Sequence, residues 1–305
     1  MSLSDLHLGS RQPVGPVESV DPAAPLSIEA LTDDILDLYE TGLQPGVRPE
    51  WLSLCPYYTV KPGQVTVVTG IPHSGKSPFV NALALHCAAT YGWLVVWCSP
   101  EHMPYKDLGA RLLEQHYKVL SFTSGHLKMT RTDIMNACVA LKDRCYFLEP
   151  REDNPTLHDV LDRCLPLLDK GLKGLVIDPY GEFEHRIPDG MSETKYISGL
   201  LSTVRAFARK HDVHIWIVAH PTKIQKDEDG NYLVVKPYDI SGSAAWFSKP
   251  DNILSIHRTV THPDYTTVHI QKIKFREVGH TGSVTLRHDS RTGTFHDIPP
   301  EQEPA

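Results

Sequence analysis

The stretch GIPHSGKS, residues 70–77, constrains this chain more than any other. Gly70, Gly75, Lys76 and Ser77 fall on the spacing G-x-x-x-x-G-K-[ST]. A loop of that form wraps backbone N–H groups around a β-phosphate. Its Lys reaches the β/γ oxygens and its Ser hydroxyl meets Mg²⁺. The flanks agree with this reading. Gln64–Thr69 carries three Val and two Thr and reads as a buried strand. After Ser77, apolar residues at 79, 80, 83 and 87 recur at helical spacing. The loop therefore joins a strand to a helix N-terminus, where the dipole and free N–H groups favour an anion. The alternative is a Gly-rich turn that happens to contain Lys-Ser. The nucleotide-contact set is Gly70, Ile71, Pro72, His73, Ser74, Gly75, Lys76, Ser77 and Pro78. Pro78 has no N–H to give an α-phosphate, so slightly weaker nucleotide contact is expected, not its loss.

Composition excludes several other classes. The net charge of −7 offers no global basic field for coating nucleic acid, although a few Lys and Arg around a central channel remain compatible with it. The six Cys form no C-x-x-C pair, so buried reduced thiols are expected rather than a zinc ribbon. The 17 His are scattered, and His211 and His214, just before a strand, read as structural rather than metal-ligating. No apolar run approaches 18 residues and the first residues lack a signal or transit pattern, so the expectation is no membrane contact and a cytoplasmic setting.

Residues 1–25 are rich in Pro, Ser and Gly and read as a disordered tail. Leu26–Gly42 has helical apolar spacing with acids between, and residues 26–45 read as a helix that packs either on its own domain or on a neighbouring subunit. From 46 to 298, apolar strands alternate with helices, the pattern of a parallel sheet buried on both faces. Strands are expected at 64–69, 93–98, 146–149, 174–178 and 213–219, with helices at 77–90, 104–118, 130–143, 156–170 and 192–211. From 252 onward, strands at 252–257, 266–275, 282–288 and 294–296 are separated by turns and read as an antiparallel extension. Residues 299–305 read as a tail.

Four further places carry chemistry. Asp178 closes the strand LVID, where a carboxylate can hold the Mg²⁺ shell beside the phosphate loop or merely cap the next segment. Glu101 closes the strand after the loop's helix, on the carboxyl edge where ligands bind, and can orient an attacking water; a solvated Glu after Pro100 is the alternative. His220 ends WIVAH on that edge, as a γ-phosphate sensor or as a hydrogen-bonded structural residue. Lys272, Lys274 and Arg276 alternate with Ile273 and Phe275, which places all three cations on one face of a strand. They are either a solvated face or a line aimed at a neighbour's phosphate. The segment Pro221–Trp246 reads as a long, mobile polar loop or a surface hairpin around Asp229-Gly230.

Taken in order, PGQVTVVTGIPHSGKS, the SPE ending at Glu101, LVIDP at 175–179, IVAHP at 217–221, SGSAAWFSKPDNILSIHR at 241–258 and KIKFR at 272–276 resemble one family. It is that of the hexameric replicative helicases: DnaB, the Twinkle mitochondrial helicase and phage primase-helicases. The resemblance spans about residues 26–298. It implies an α/β RecA-like P-loop NTPase core, a mostly parallel twisted sheet flanked by helices, in a six-membered homo-oligomer with ATP between subunits. It implies that Gly75, Lys76, Ser77 and Asp178 hold Mg-ATP, with Glu101 as the catalytic base. His220 becomes the γ-phosphate sensor, and Arg276 an arginine finger with Lys274 beside it as a second cation in trans. Loops around 181–195 and 222–245 would grip single-stranded DNA, with Lys195, Lys223, Lys226, Lys236, Ser241, Gly242 and Ser243 as contacts. A primase or helicase loader is the further partner implied, in a bacterial or phage-infected cell. His73, where a small residue is usual, and Pro78 depart from the pattern. The primase and zinc-binding domains of fused relatives are absent from the sequence in hand, which fits either a stand-alone helicase or a piece of a longer chain. A RecA/RadA/KaiC-like ATPase without unwinding and a nucleotide-dependent scaffold that recruits replication proteins remain open beside the helicase reading.

Overall fold

The computed structural model describes residues 25–123, 127–149, 155–222, 224–228, 232–240, 244–259 and 261–299. The apolar runs pair as strands: β1 (Val65–Thr69), β2 (Leu94–Cys98), β3 (Cys145–Phe147), β4 (Leu172–Ile177), β5 (His214–Val218) and β6 (Asn252–His257). Then follow β7 (Tyr265–Ile273), β8 (Gly282–Asp289) and β9 (Thr294–Asp297). Among the described residues these form one sheet in the order β3-β2-β4-β5-β1-β6-β7-β8-β9. Every pairing from β3 to β6 is parallel, and β6 to β9 pair antiparallel. The expected α/β class with its antiparallel extension is thus borne out.

Strand composition explains the layering. β1, β2 and β5 are buried along their whole length, because helices cover both faces. Alternate residues face opposite layers. Val68, Val95, Trp97 and Val218 pack with α2 (Lys76–Tyr91), α3 (Tyr105–Tyr117) and α4 (Arg131–Ala140). Val65, Val67, Val96, Ile215 and Ile217 pack with α5 (Leu157–Leu168), α6 (Glu193–His211) and α7 (Ala245–Ser248). α4 and α5 each start at a reciprocal capping box, Thr130 with Asp133 and Thr156 with Asp159. The start of α2 is fixed by an aromatic cluster: Phe79 stacks on Trp51 at 5.0 Å between ring centres, and Phe295 meets both edge-on.

Two compact units divide the chain at Gln44 and Pro45. In the first, the helix expected from Leu26 begins later. Ser27 Oγ accepts from Ala30 N–H, a 3₁₀ turn covers Glu29–Leu31, and the α-helix, α1, runs Thr32–Thr41 to Gly42 at φ +74°. Within this unit Leu38 and Tyr39 are exposed.

A polar network crosses the core of the second unit. His214 is fully buried; its Nδ1 lies 2.7 Å from Lys61 O, and its Nε2 meets Thr66 Oγ1 at 3.0 Å and Tyr58 OH at 3.3 Å. The carbonyl makes Nδ1 the donor, so Nε2 accepts and the ring is neutral. Both nitrogens are engaged, which is the structural role expected from sequence. Burial pushes the His214 pKa down to about 4. The unfolded chain therefore binds the proton first on acidification, and the stability that neutral His214 contributes above pH 6.5 is lost as pH falls toward 4. For this residue alone the loss amounts to about 3 kcal/mol. Burial lowers His269 and His288 to about 4 as well, adding slopes of the same sign. Denaturant midpoints should fall steadily from pH 6.5 to 4 and less steeply in His214→Gln; a flat profile would refute this.

Candidate active site

β1 delivers the chain to Gly70, and the loop closes at Gly75, which caps α2. Both glycines are dictated by sterics. Gly70 has φ +149° and a Cβ there would run into the Ile256 carbonyl, while Gly75 has φ +95° and a Cβ would come within 2.7 Å of Arg258 Nη2. Ser74 is buried between them, its Oγ without a protein partner. His73 adopts φ +62°, a left-handed conformation uncommon for a residue with a Cβ. Pro78 sits in the first turn of α2, and its carbonyl accepts from Gln115 Nε2 at 2.9 Å.

Lys76 is only 5% exposed and its Nζ donates to Ile71 O at 2.8 Å. Burial lowers its pKa to about 8, against the opposing pull of Asp178 and Glu101. Beside it, Ser77 Oγ donates to Asp178 Oδ1 at 3.1 Å. Asp178 follows β4 and is 1% exposed; its Oδ2 has no hydrogen-bond partner, and burial raises its pKa to about 7. Its carboxylate therefore turns to the phosphate loop, and the 3₁₀ turn at Tyr180–Glu182 starts without a side-chain cap. A hydroxyl and a buried carboxylate with one spare oxygen are hard donors that fit a divalent cation such as Mg²⁺. Among the described residues no group of three or more His, Cys, Asp or Glu could hold a metal ion.

Glu101 lies on the 3₁₀ turn Pro100–His102 after β2, and His220 lies just beyond β5. The strand ends bring them together, with His220 Nε2 at 3.9 Å from Glu101 Oε2. Glu101 is 54% exposed and His220 43%, so both face the open edge. Burial and Lys76 lower the pKa of His220, which favours its neutral form. The expected cluster of Lys76, Ser77, Glu101, Asp178 and His220 is thus assembled on one carboxyl edge, as parallel-sheet topology requires.

Two neighbours were not singled out from sequence. His102 Nδ1 is 2.7 Å from Ser99 Oγ, which donates to the Asp178 carbonyl. Arg258 reaches Gly75 from the end of β6, with Nε on Thr266 Oγ1 at 2.9 Å and a buried Nη2 without a partner. Their signal was available: each is a polar residue at the carboxyl end of a parallel strand.

The cations at 272–276 are not arranged as their alternation predicts. β7 stops at Ile273, so Lys272, Lys274 and Arg276 do not share a strand face. Lys272 Nζ donates to Phe247 O at 2.6 Å and Pro250 O at 2.8 Å, closing the end of α7. Lys274 Nζ is 3.5 Å from Asp251 Oδ1, and Arg276 is exposed on the turn that follows. The cause is Asp251, whose carbonyl accepts from Lys274 N–H, and a turn closed from Val278 N–H to Phe275 O. Ile273 pairs with Asn252 and Asn252 with Thr66, so this turn lies beside the start of β1. The phosphate loop lies at the other end of β1, about 16 Å away at roughly 3.3 Å per residue.

Lys195 is exposed in the first turn of α6. Lys226 bridges to Tyr232 and stacks over its ring at 4.6 Å, and Lys236 is exposed beside Asp239. Among the described parts of 221–240, Pro221 bridges Ile240 and Lys226 bridges Tyr232, both antiparallel. Lys223, Ser241, Gly242 and Ser243 lie outside the described residues. No described contact joins Lys195, Lys226 or Lys236 to the phosphate-loop cluster.

The chain is 33% identical, over 285 residues, to the chloroplastic/mitochondrial Twinkle homolog protein of Arabidopsis thaliana. That match covers 90% of this chain but 40% of the relative, so the chain spans less than half of the relative's length. No protein-family model matches. The fold is that of a solved ATPase domain (TM-score 0.73, 17% identity, covering 90% of this chain and 100% of that one). It is also that of a DnaB-like replicative helicase whose structure was described with its interactions with primase (TM-score 0.72, 16% identity, 89% and 69%). The resemblance read from the motifs, and the RecA-like fold it implied, are borne out.

Proposed function

We propose that this chain is the motor domain of a Twinkle- and DnaB-type replicative helicase, which hydrolyses ATP between subunits of a ring and moves along single-stranded DNA. The observation that carries the proposal is the split of the machinery across the sheet. The phosphate loop, Asp178, Glu101 and His220 share the carboxyl edge, whereas Arg276 stands exposed at the opposite edge. An arginine so far from its own loop serves a phosphate only on another copy.

In this reading the loop N–H groups and Lys76 bind the phosphates. Ser77 and Asp178 would hold Mg²⁺, which would neutralise charge on the phosphate oxygens. Glu101 orients the attacking water, and neutral His220 beside it offers a hydrogen bond that changes when the terminal phosphate leaves. Arg276, with Lys274 near it, supplies positive charge from the adjacent subunit. Hydrolysis then loosens that tie, and loops around 181–195 and 222–245 shift against those of the neighbour. Lys195, Lys226 and Lys236 are the proposed DNA contacts among the described residues, with Lys223 and Ser241–Ser243 completing the set. A six-membered ring, a primase or loader as partner, and a bacterial or phage-infected cell as setting belong to the same proposal. Among the described residues no helix is long and apolar enough to cross a membrane.

The test is strand displacement on a forked duplex. ATP-dependent displacement that stops with a non-hydrolysable analogue is expected. ATP turnover without displacement would favour a RecA/RadA/KaiC-like ATPase.

A further inference from the structure

Asp251 is the most heavily paired carboxylate outside the phosphate-loop cluster among the described residues. It is fully buried, yet its Oδ1 is surrounded by three cations: Arg205 Nε at 3.4 Å, Arg209 Nη2 at 3.5 Å and Lys274 Nζ at 3.5 Å. Its Oδ2 accepts from Val65 N–H at 3.2 Å. The main chain repeats the connection, with Asp251 N–H donating to Val65 O and Lys274 N–H donating to Asp251 O, both at 3.0 Å. One residue thus ties together the first residue of β1, two arginines of α6, and the start of the turn that carries Arg276.

Such a carboxylate is not needed to end a strand. A buried ion gives up its hydration and often stabilises no better than an apolar residue. What it gives here is geometry. The turn is pinned at both ends, by Lys274 on Asp251 and by Val278 O, which accepts from Thr59 N–H and Thr59 Oγ1 at 2.9 Å. Between the pins, Arg276 is exposed. β1, held by Asp251 at its first residue, runs unbroken to Gly70 at the phosphate loop.

We propose that Asp251 is a positioning residue: it holds the Lys274–Val278 turn in register with β1, and so fixes the cation that one subunit presents to the nucleotide of the next. The inference rests on the trans role of Arg276 proposed above and deepens it. Asp251 meets β1 at Val65, the end away from its own phosphate loop, so its loss acts on the neighbour's site.

Subunit mixing tests this. Asp251→Asn keeps an acceptor for Val65 N–H and removes the charge that gathers the three cations. Alone, the variant is expected to bind a fluorescent ATP analogue within about twofold of wild type and to hydrolyse ATP at least about tenfold more slowly, one decade of transition-state stabilisation. Mixed with Lys76→Ala, whose loop is dead but whose Asp251 and Arg276 are intact, it should regain hydrolysis, because its loops then receive a well-placed cation. Arg276→Ala mixed with Lys76→Ala is the control. If the control pair regains activity and the Asp251→Asn pair does not, or if Asp251→Asn loses nucleotide binding, Asp251 is a structural anchor only and the inference is overturned. If the control pair stays inactive, the trans role itself fails and this inference with it. Should Asp251→Asn not fold, Arg205→Gln, which removes one of the gathered cations, is mixed in its place and judged by the same outcomes.

Discussion

Arg276→Ala is expected to bind ATP as the wild type does and to hydrolyse it about 10³–10⁵-fold more slowly, the range over which an arginine supplied in trans stabilises phosphoryl-transfer charge. The sign of each half follows from position. Arg276 is exposed on a turn about 16 Å from its own phosphate loop by strand length, so its removal leaves the loop's nucleotide contacts untouched. An exposed side chain away from any cap or core changes stability by no more than about 0.5 kcal/mol. Equilibrium binding of a fluorescent ATP analogue, read beside steady-state hydrolysis, separates the two halves. A wild-type rate would remove Arg276 from the reaction, and a parallel loss of binding would mean that it acts on its own subunit.

Lys76→Ala should reduce hydrolysis by about 10³-fold, the scale of losing a preorganised charge at the reacting phosphate. Its effect on the fold runs the other way. Lys76 is buried, and burial already drags its pKa down to about 8, so the protein without nucleotide bears the cost of desolvating a cation. Alanine relieves that cost and gives up one hydrogen bond to Ile71 O. The melting temperature without nucleotide is therefore expected to stay level or rise, while the upward shift on adding Mg-ATP vanishes, since stabilisation by a ligand scales with its occupancy. A melt that collapses in the absence of nucleotide would make Lys76 a structural residue and would detach the lost activity from phosphate binding.

Much of this was legible in the sequence, for identifiable reasons. β1, β2 and β5 announce themselves because both faces are covered and their residues are apolar without alternation. Asp178, Glu101 and His220 were singled out because each stands just past the end of such a strand, and parallel strands deliver their ends to one edge. The cation line at 272–276 was misread because period two holds only while a strand lasts, and β7 ends at Ile273. What stops it, the Asp251 carboxylate and carbonyl, lies before β6 in the chain and is invisible to a local pattern. Arg258 was passed over within a quoted motif because its partner, Thr266, and the glycine it lies beside, Gly75, come from two other elements. Lys272 reads as a free surface charge and instead closes the last turn of α7.

In the proposed function, nucleotide turnover is coupled to a bound DNA strand. ATP hydrolysis measured with and without single-stranded DNA, at low and moderate salt, on protein whose mass in solution is known, tests it most directly. Strong stimulation by DNA is expected in a ring-sized oligomer, fading with salt as phosphate contacts should. Turnover in such an oligomer that is indifferent to DNA at both salts would contradict it, and would point to an ATPase whose partner is a protein.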